Sequence, residues 1–339
     1  MGVAIKDILY YREIDASQLA NKKIAIDSFN MLFSFVSSIR QSDGQLLVDS
    51  KGRVTSHLKG LFSRCIYFKK HNISPIFIFD GKAPKLKEKE QDSRRERRAL
   101  AQEKYQEAKE LGLLEDSKKY AQGTSHLTSD MIEQSKELIS KFGFSIIQAP
   151  SEAEAQGAEL VRSKQVYALA SQDFDSLLFN SPYLIRNFSI SSKRKVAGTN
   201  TYKDTNIEFY SLKENLEKLN ISQDELIYIA ILCGTDFNPG GIKGIGPKKA
   251  LKLVKEYRNK PEDLFKILKW HDYFSYTWIE VFNTIKKMPI DKEISEFRNT
   301  FEKDAIVEYL TQFDFDEEQV KKQLQSIIPK NKGLNQYFS

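Results

Sequence analysis

Five short runs are almost continuously apolar: KKIAID (22–27), SPIFIFD (74–80), FSIIQAP (144–150), VYALASQD (166–173) and YLIRNFS (183–189). Strands covered on both faces read this way, because neither face alternates with polar residues. Helical spacing lies between the runs. SFNMLFSFVSSIR follows the first, and SDMIEQSKELISKFG places Met131, Ser135, Leu138 and Phe142 on one stripe before the helix stop at Gly143. Strands alternating with helices predict an α/β fold with a mainly parallel central sheet flanked by helices. Residues 85–112 break the pattern: KLKEKEQDSRRERRALAQEKYQEAKELG has strong helix formers and only a thin apolar stripe, so it predicts a helix solvated on most sides or bridging open space. The chain is helix-rich from 211 to about 326. SSKRKVAG (191–198) reads as a basic hairpin or loop, and PKNKGLNQYFS as a loose tail.

Composition adds limits. The 339 residues are 40% hydrophobic, ample for a packed core, and the net charge of +6 is only a mild lean toward acidic partners. Cys65 and Cys233 sit in apolar stretches and predict buried reduced thiols in an intracellular protein. No signal peptide is visible, Lys6 excludes the myristoylation pattern, and no apolar run has the length of a membrane span. The histidines at 57, 71, 126 and 271 lack metal-ligand spacing.

The strand runs end in acids. Asp27 closes the first, Asp80 the second, and Asp173 and Asp175 the fourth; the third leads to Ser151, Glu152 and Glu154. Ligands of open α/β sheets sit beyond the carboxyl ends of the strands, so independent strands deliver carboxylates to one edge. Each acid has a local alternative. Ser151-x-x-Glu154 fits a capping box, Glu152 suits a helix dipole, Asp80-Gly81 is a turn pair, and Asp173 or Asp175 fits a cap for a helix from Ser176. Jointly these alternatives fail. Two like charges about 4 Å apart repel by about 4 kcal/mol at an effective dielectric near 20. A cluster of six needs cations, and oxygen-only donors suit Mg²⁺ or Mn²⁺, two of which form a phosphoryl-transfer site. Asp236, in LIYIAILCGTDFNPGG, joins them: a negative charge just past a helix C-terminus is locally unfavourable and predicts a role elsewhere.

Groups that would grip DNA follow. In GGIKGIGPKKALKLV, Gly244 and Gly246 make a tight turn, Pro247 opens a helix, and Lys248 and Lys249 follow; exposed amides with two lysines suit a DNA phosphate. The carbonyls of this turn are candidate ligands for a monovalent cation, K⁺. Lys87 and Arg94 lie two helical turns apart shortly after Asp80, where they could draw a scissile phosphate toward metals. Phe33, on the helix after Asp27, is a core residue or a base-stacking platform. Arg40 and Arg64 complete the candidate DNA contacts.

The segments KKIAIDSFN, GRVTSHLKGLFSR, IFIFDGKAPKLK, QAPSEAEAQGAEL, ASQDFDSLLF and CGTDFNPGGIKGIGPKKAL together resemble the flap endonucleases of the XPG-like structure-specific nuclease family, archaeal type. The resemblance covers nearly the whole chain. It implies a PIN-like 5′-nuclease fold as one domain over 1–326, with a helical arch at about 85–126 and a helix–two-turn–helix at about 225–257. It implies that Asp27, Asp80, Glu152, Glu154, Asp173, Asp175 and Asp236 hold two Mg²⁺, that Lys87 and Arg94 act on the phosphate, and that Gly2 lies near the site once Met1 is removed. The implied activity is cutting of branched DNA at the base of a 5′ flap, with 5′-3′ exonuclease activity, in Okazaki fragment maturation and DNA repair. In the tail (327–339), Leu334, Tyr337 and Phe338 match a sliding-clamp (PCNA) motif, while Asn331 replaces its usual glutamine with a shorter amide. Residues 270–303 match the family poorly and predict helical packing only. Two alternatives are a bubble- or junction-cutting relative, disfavoured by the compact insertion between Asp80 and Glu152, and a non-catalytic clamp-bound scaffold, disfavoured because no acid is missing.

Overall fold

The computed structural model describes residues 2–188, 206–292 and 300–327, together with the backbone of 193–195 and 202–204. In chain order the elements are β1 (Arg12–Ile14), β2 (Lys23–Asp27), α1 (Ser28–Ser38), α2 (Ser56–Lys70), β3 (Ser74–Phe79), α3 (Glu88–Glu110), α4 (Leu114–Gly123), α5 (Ser129–Lys141), β4 (Ser145–Gln148), α6 (Ala153–Arg162), β5 (Ala168–Ala170), α7 (Asp175–Leu178) and β6 (Tyr183–Arg186). They continue with β7 (Lys193–Lys195), β8 (Tyr202–Asp204), β9 (Ile207–Ser211), α8 (Leu212–Leu219), α9 (Gln223–Cys233), α10 (Pro247–Glu256), α11 (Pro261–Ile267), α12 (Trp278–Lys286), α13 (Lys303–Thr311) and α14 (Glu317–Gln325).

Seven strands form one sheet in the order β1-β9-β6-β5-β2-β3-β4. All five apolar runs are strands, and they pair in parallel. Only β9 runs against its neighbours, β6 and β1. β1 and β9 had no counterpart in the hydrophobic pattern: Arg12-Glu13-Ile14 is a largely exposed edge, and buried β9 carries a glutamate. Side-chain alternation sends Ile24 and Ile26 of β2 into one apolar layer with Leu58, Phe68 and Phe142, and Ala25 into the opposite layer with Ile78, Ile147 and Leu169. Helices cover both faces, as a parallel sheet requires. The chain steps from β2 through β3 to β4 and then crosses to β5 on the other side of β2. The topological switch point therefore lies at the carboxyl ends of β2 and β5, where a ligand crevice opens.

α3 and α4 form a helical hairpin joined at Gly112, whose φ of +69° suits glycine. Of the 23 residues of α3, only Glu90 and Ala108 are buried, so the thin stripe serves mainly to seat the partner helix. β7, inside the segment expected as a hairpin or loop, pairs antiparallel with β8, which lies beyond that segment. In the poorly matching segment, Trp278 stacks on Phe265 with ring centroids 4.4 Å apart, which is helical packing as expected.

Candidate active site

The acids at the strand ends face one crevice and lie close enough to raise one another, and several also satisfy backbone groups nearby. Asp27 is the N-cap of α1 and accepts from the Asn30 amide at 3.0 Å. Asp80 accepts from the Ala153 amide at 2.6 Å, in the first turn of α6. The Ser151–Glu154 capping box does not form. Glu152 is the N-cap residue of α6 and its side chain makes no capping bond, Ser151 Oγ donates to the Lys82 carbonyl at 2.9 Å, and Glu154 accepts from Ser171 Oγ at 2.9 Å. Glu154 is thereby turned toward the crevice.

Asp173 and Asp175 are held from the other end of the chain. The Gly2 nitrogen donates to Asp173 Oδ1 at 3.0 Å, and the Val3 amide donates to Asp175 Oδ1 at 2.8 Å. A Cβ on Gly2 would stand 2.6 Å from Asp173 Cβ, so the close approach needs glycine. Asn30 Nδ2 reaches Asp173 Oδ2 at 3.2 Å, and Ser171 Oγ also donates to Asp27 Oδ2 at 3.3 Å. Asn30, Ser171 and the Val3 amide were not foreseen. Asn30, three residues after Asp27, and Ser171, two before Asp173, carry a weak signal in their spacing; a backbone amide carries none.

Burial and crowding together dominate the electrostatics. Burial, with Asp80 and Asp173 nearby, pushes the Asp27 carboxyl up to about 8. Burial, with Asp236 and Asp173, pushes Asp175 to about 7. Glu154 is raised well above its ordinary range by burial, then by Asp175, Asp27 and Asp173. Asp80 and Glu152 are also raised, burial being the largest cause, while Lys87 pulls both back. Each acid makes another harder to ionise, the signature of a site built for added positive charge.

Two side chains at the foot of the arch supply part of that charge. Lys87 Nζ lies 2.6 Å from Glu152 Oε2 and 3.4 Å from Asp236 Oδ2. Burial works against its ammonium, yet Glu152, Asp236 and Asp80 hold it above its ordinary range. Arg94 Nη2 lies 2.8 Å from Asp236 Oδ2, while Glu90 anchors Arg94 at 2.8 Å and Arg97 at 2.9 Å. With the acids engaged by these cations and by amides, no three acidic, histidine or cysteine side chains among the described residues converge on one ion position. The donor chemistry still fits a divalent cation: the acidic groups of the crevice offer carboxylate oxygens, with no thiol or imidazole among them.

The expected DNA contacts divide. Phe33 is 47% exposed on α1, as a stacking platform requires. α9 and α10 form the expected helix pair. Gly244 adopts φ +80° in the connection, Pro247 is the first residue of α10, and Lys248 and Lys249 are exposed at its start. Arg64 is a correction: it is 7% exposed, donates to the Phe188 carbonyl and lies among Tyr67, Phe68 and Phe188. It fills the core and does not face a strand of DNA. Arg40 is only partly buried. Its guanidinium donates to the carbonyls of Ser37 and Gly44 and to Ser125 Oγ, clasping the chain after α1 to the end of the arch. Cys65 is buried and Cys233 only partly so; both are free thiols. Asn331, Leu334, Tyr337 and Phe338 lie outside the described residues. No described helix is long and apolar enough to cross a membrane.

The XPG N-terminal domain profile matches residues 3–101 and the XPG I-region profile residues 143–236; together they contain all seven acids, with Asp236 as the last matched residue. Flap endonuclease 1 of Pyrococcus furiosus is 44% identical over 332 residues, covering 96% of this chain and 95% of the relative. Flap endonuclease 1 of Pyrococcus horikoshii is 46% identical over 322 residues, covering 95% and 92%. Among solved structures, flap endonuclease-1 from Methanococcus jannaschii superposes with a TM-score of 0.72 at 36% identity, covering 96% of this chain and 98% of that one. The catalytic core of Rad2 bound to a DNA substrate gives the same TM-score at 24% identity and shares the fold, with 97% and 100% covered. With a full-length likeness and the acid cluster at the switch point of the sheet, this chain belongs to the flap endonucleases of the XPG family of structure-specific nucleases.

Proposed function

We propose that the crevice at the ends of β2 and β5 hydrolyses a DNA phosphodiester at the base of a 5′ flap by two-metal chemistry. The observation that carries this reading is the set of mutually opposed carboxylates from Asp27 to Asp236, five buried and two (Asp80 and Asp173) half-buried, with no histidine or thiol among them. Asp27, Asp80, Glu152, Glu154, Asp173, Asp175 and Asp236 would hold two Mg²⁺, with Mn²⁺ as a substitute. When bound, the ions supply charge neutralisation and Lewis acidity at the scissile phosphate.

The protein's own groups do the rest. Lys87 and Arg94 now satisfy Glu152 and Asp236; an incoming phosphate supplies the same negative charge, so both can turn onto its oxygens and stabilise the charge that develops in line with the attacking water. The α3–α4 arch carries these cations at its foot, and α3 spans about 34 Å at about 1.5 Å per residue, enough to frame a single strand. Phe33 offers a ring to the base beside the cut. The turn through Gly244 and the start of α10, with Lys248 and Lys249, grips the duplex backbone, with K⁺ as a candidate ion there. The tail residues Asn331, Leu334, Tyr337 and Phe338 would bind a sliding clamp, and the cellular role would be flap removal in replication and repair.

The test is cleavage of a 5′-flap duplex in Mg²⁺ by the unmodified protein, beside Asp173→Ala and a chelated control. Cutting near the branch, lost in both controls with flap binding retained, supports the reading. Cutting that persists without divalent ions sinks it.

A further inference from the structure

Asp173 and Asp175 are gripped by two pieces of chain that reach them separately. One is the N-terminal arm, whose Gly2 and Val3 nitrogens bond the two carboxylates. The other is their own loop, 171–175, after β5. The arm at Gly2 and Val3 and the loop up to Phe174 have no regular structure to stiffen them, Asp175 being the first residue of α7, yet both are tied to one side chain. Glu208 of β9 is only 6% exposed. Its Oε1 accepts from Lys6 Nζ of the arm at 2.7 Å. Its Oε2 faces Arg186 Nη1 at 3.4 Å and accepts from Tyr210 Oη at 2.7 Å.

Arg186 and Tyr210 pass the anchorage on to the loop. Arg186 Nε donates to the Gln172 carbonyl at 2.9 Å, and its guanidinium lies 4.0 Å from the centre of the Phe174 ring. Phe174 stands between the two aspartates in sequence. Tyr210 meets the same ring edge-on at 5.3 Å and packs against Tyr11, just beyond the arm, at 5.4 Å. Burial opposes the Glu208 charge, but bonds from Lys6 and Tyr210 and the charges of Lys6 and Arg186 hold the carboxyl below its usual range. A buried carboxylate with these partners is costly to orphan, and it touches none of the seven acids of the crevice.

We propose that Glu208 is a positioning residue of the nuclease: it fixes the N-terminal arm and the 171–175 loop to one strand, so that backbone nitrogens of the arm stay on Asp173 and Asp175. The proposal rests on the reading of these two aspartates as ion ligands. It makes ion affinity depend on β9, which is the one antiparallel member of the sheet and contributes no acid to the crevice.

The first measurement is amide exchange on the full, metal-free chain. Glu208→Ala should speed exchange at Val3 and across 171–175 by about tenfold, leaving 24–26 of β2 unchanged. Lys6→Ala, at a half-exposed position, should affect Val3 more than 171–175; Arg186→Ala should do the reverse. The second measurement is single-turnover cutting of a 5′-flap duplex against Mg²⁺ concentration. For Glu208→Ala the Mg²⁺ needed for half-maximal rate should rise by about 10–100-fold, with flap affinity in Ca²⁺ unchanged. Glu208→Gln keeps an acceptor and should fall between the two proteins. Unchanged exchange together with unchanged Mg²⁺ dependence overturns the proposal, as does exchange that rises equally in β2. Asp173→Ala separates the two ideas. If it still cuts, the ligand assignment falls and the proposal falls with it. If it is inactive while Glu208→Ala matches the unmodified protein in both measurements, only the role of Glu208 is lost.

Discussion

Arg94 and Asp236 are 142 residues apart in the chain and 2.8 Å apart in space. The bond joins the foot of the arch to the loop after α9, so the element that would admit a single strand is tied to the one that would grip duplex. Lys87, bridging Glu152 and Asp236, lies beside it.

Arg94→Ala should lower single-turnover cutting of a 5′ flap by about 10²–10³-fold, the usual cost of losing a donor aimed at developing charge. Flap affinity measured in Ca²⁺ should stay nearly constant. A parallel loss of affinity and rate would make Arg94 a binding group instead.

The metal-free protein should lose stability as pH rises from about 4 to about 8. An unfolded aspartate titrates near 4, whereas folded Asp27 titrates at about 8 and Asp175 at about 7. Across that window the folded chain keeps protons that the unfolded chain has released, so raising pH favours unfolding. Added Mg²⁺ should flatten this dependence. Thermal melts at several pH values, with and without Mg²⁺, read it directly; a metal-free stability that rises over the same range contradicts it.

Asp27→Asn should raise the melting temperature of the metal-free protein at neutral pH while abolishing cutting, since it removes one of several like charges from a buried cluster. A lower melting temperature would mean that the carboxylate's bonds to Asn30 and Ser171 outweigh the repulsion.

Arg64→Ala should cost about 1–3 kcal/mol of stability, because it leaves the Phe188 carbonyl without its donor, in addition to lost packing. Chemical denaturation measures this, and duplex affinity should not change. Weakened DNA binding by a protein of unaltered stability would restore the arginine to the interface.

Replacing Lys248 and Lys249 together with alanine should reduce the slope of log affinity against log salt by about 2, if each neutralises one phosphate. The affinity loss should be uniform across duplex sequences.

Residue order by itself determined the five parallel strands, because a strand buried on both faces must be apolar throughout. It also determined the acids at their ends, because a charge after such a run has no local reason to be there. The arch was legible in 85–112 as a helix with too little apolar surface to lie in a core. Only the tertiary structure decided the rest. β9 escaped notice because Glu208 interrupts it, and a buried glutamate is tolerable only with Lys6, Arg186 and Tyr210 around it, residues distant or unremarkable in sequence. Ser151 and Glu154 read locally as a capping box, yet long-range partners, Lys82 and Ser171, took both side chains. Arg64 and Arg40 read as candidate DNA contacts, and the burial of the first and the clasping by the second depend on neighbours that only folding brings close. The nitrogens of Gly2 and Val3 carry no residue-type signal at all. Short-range periodicity is written in the order of residues, while the satisfaction of buried charge depends on which distant groups the sheet order places side by side.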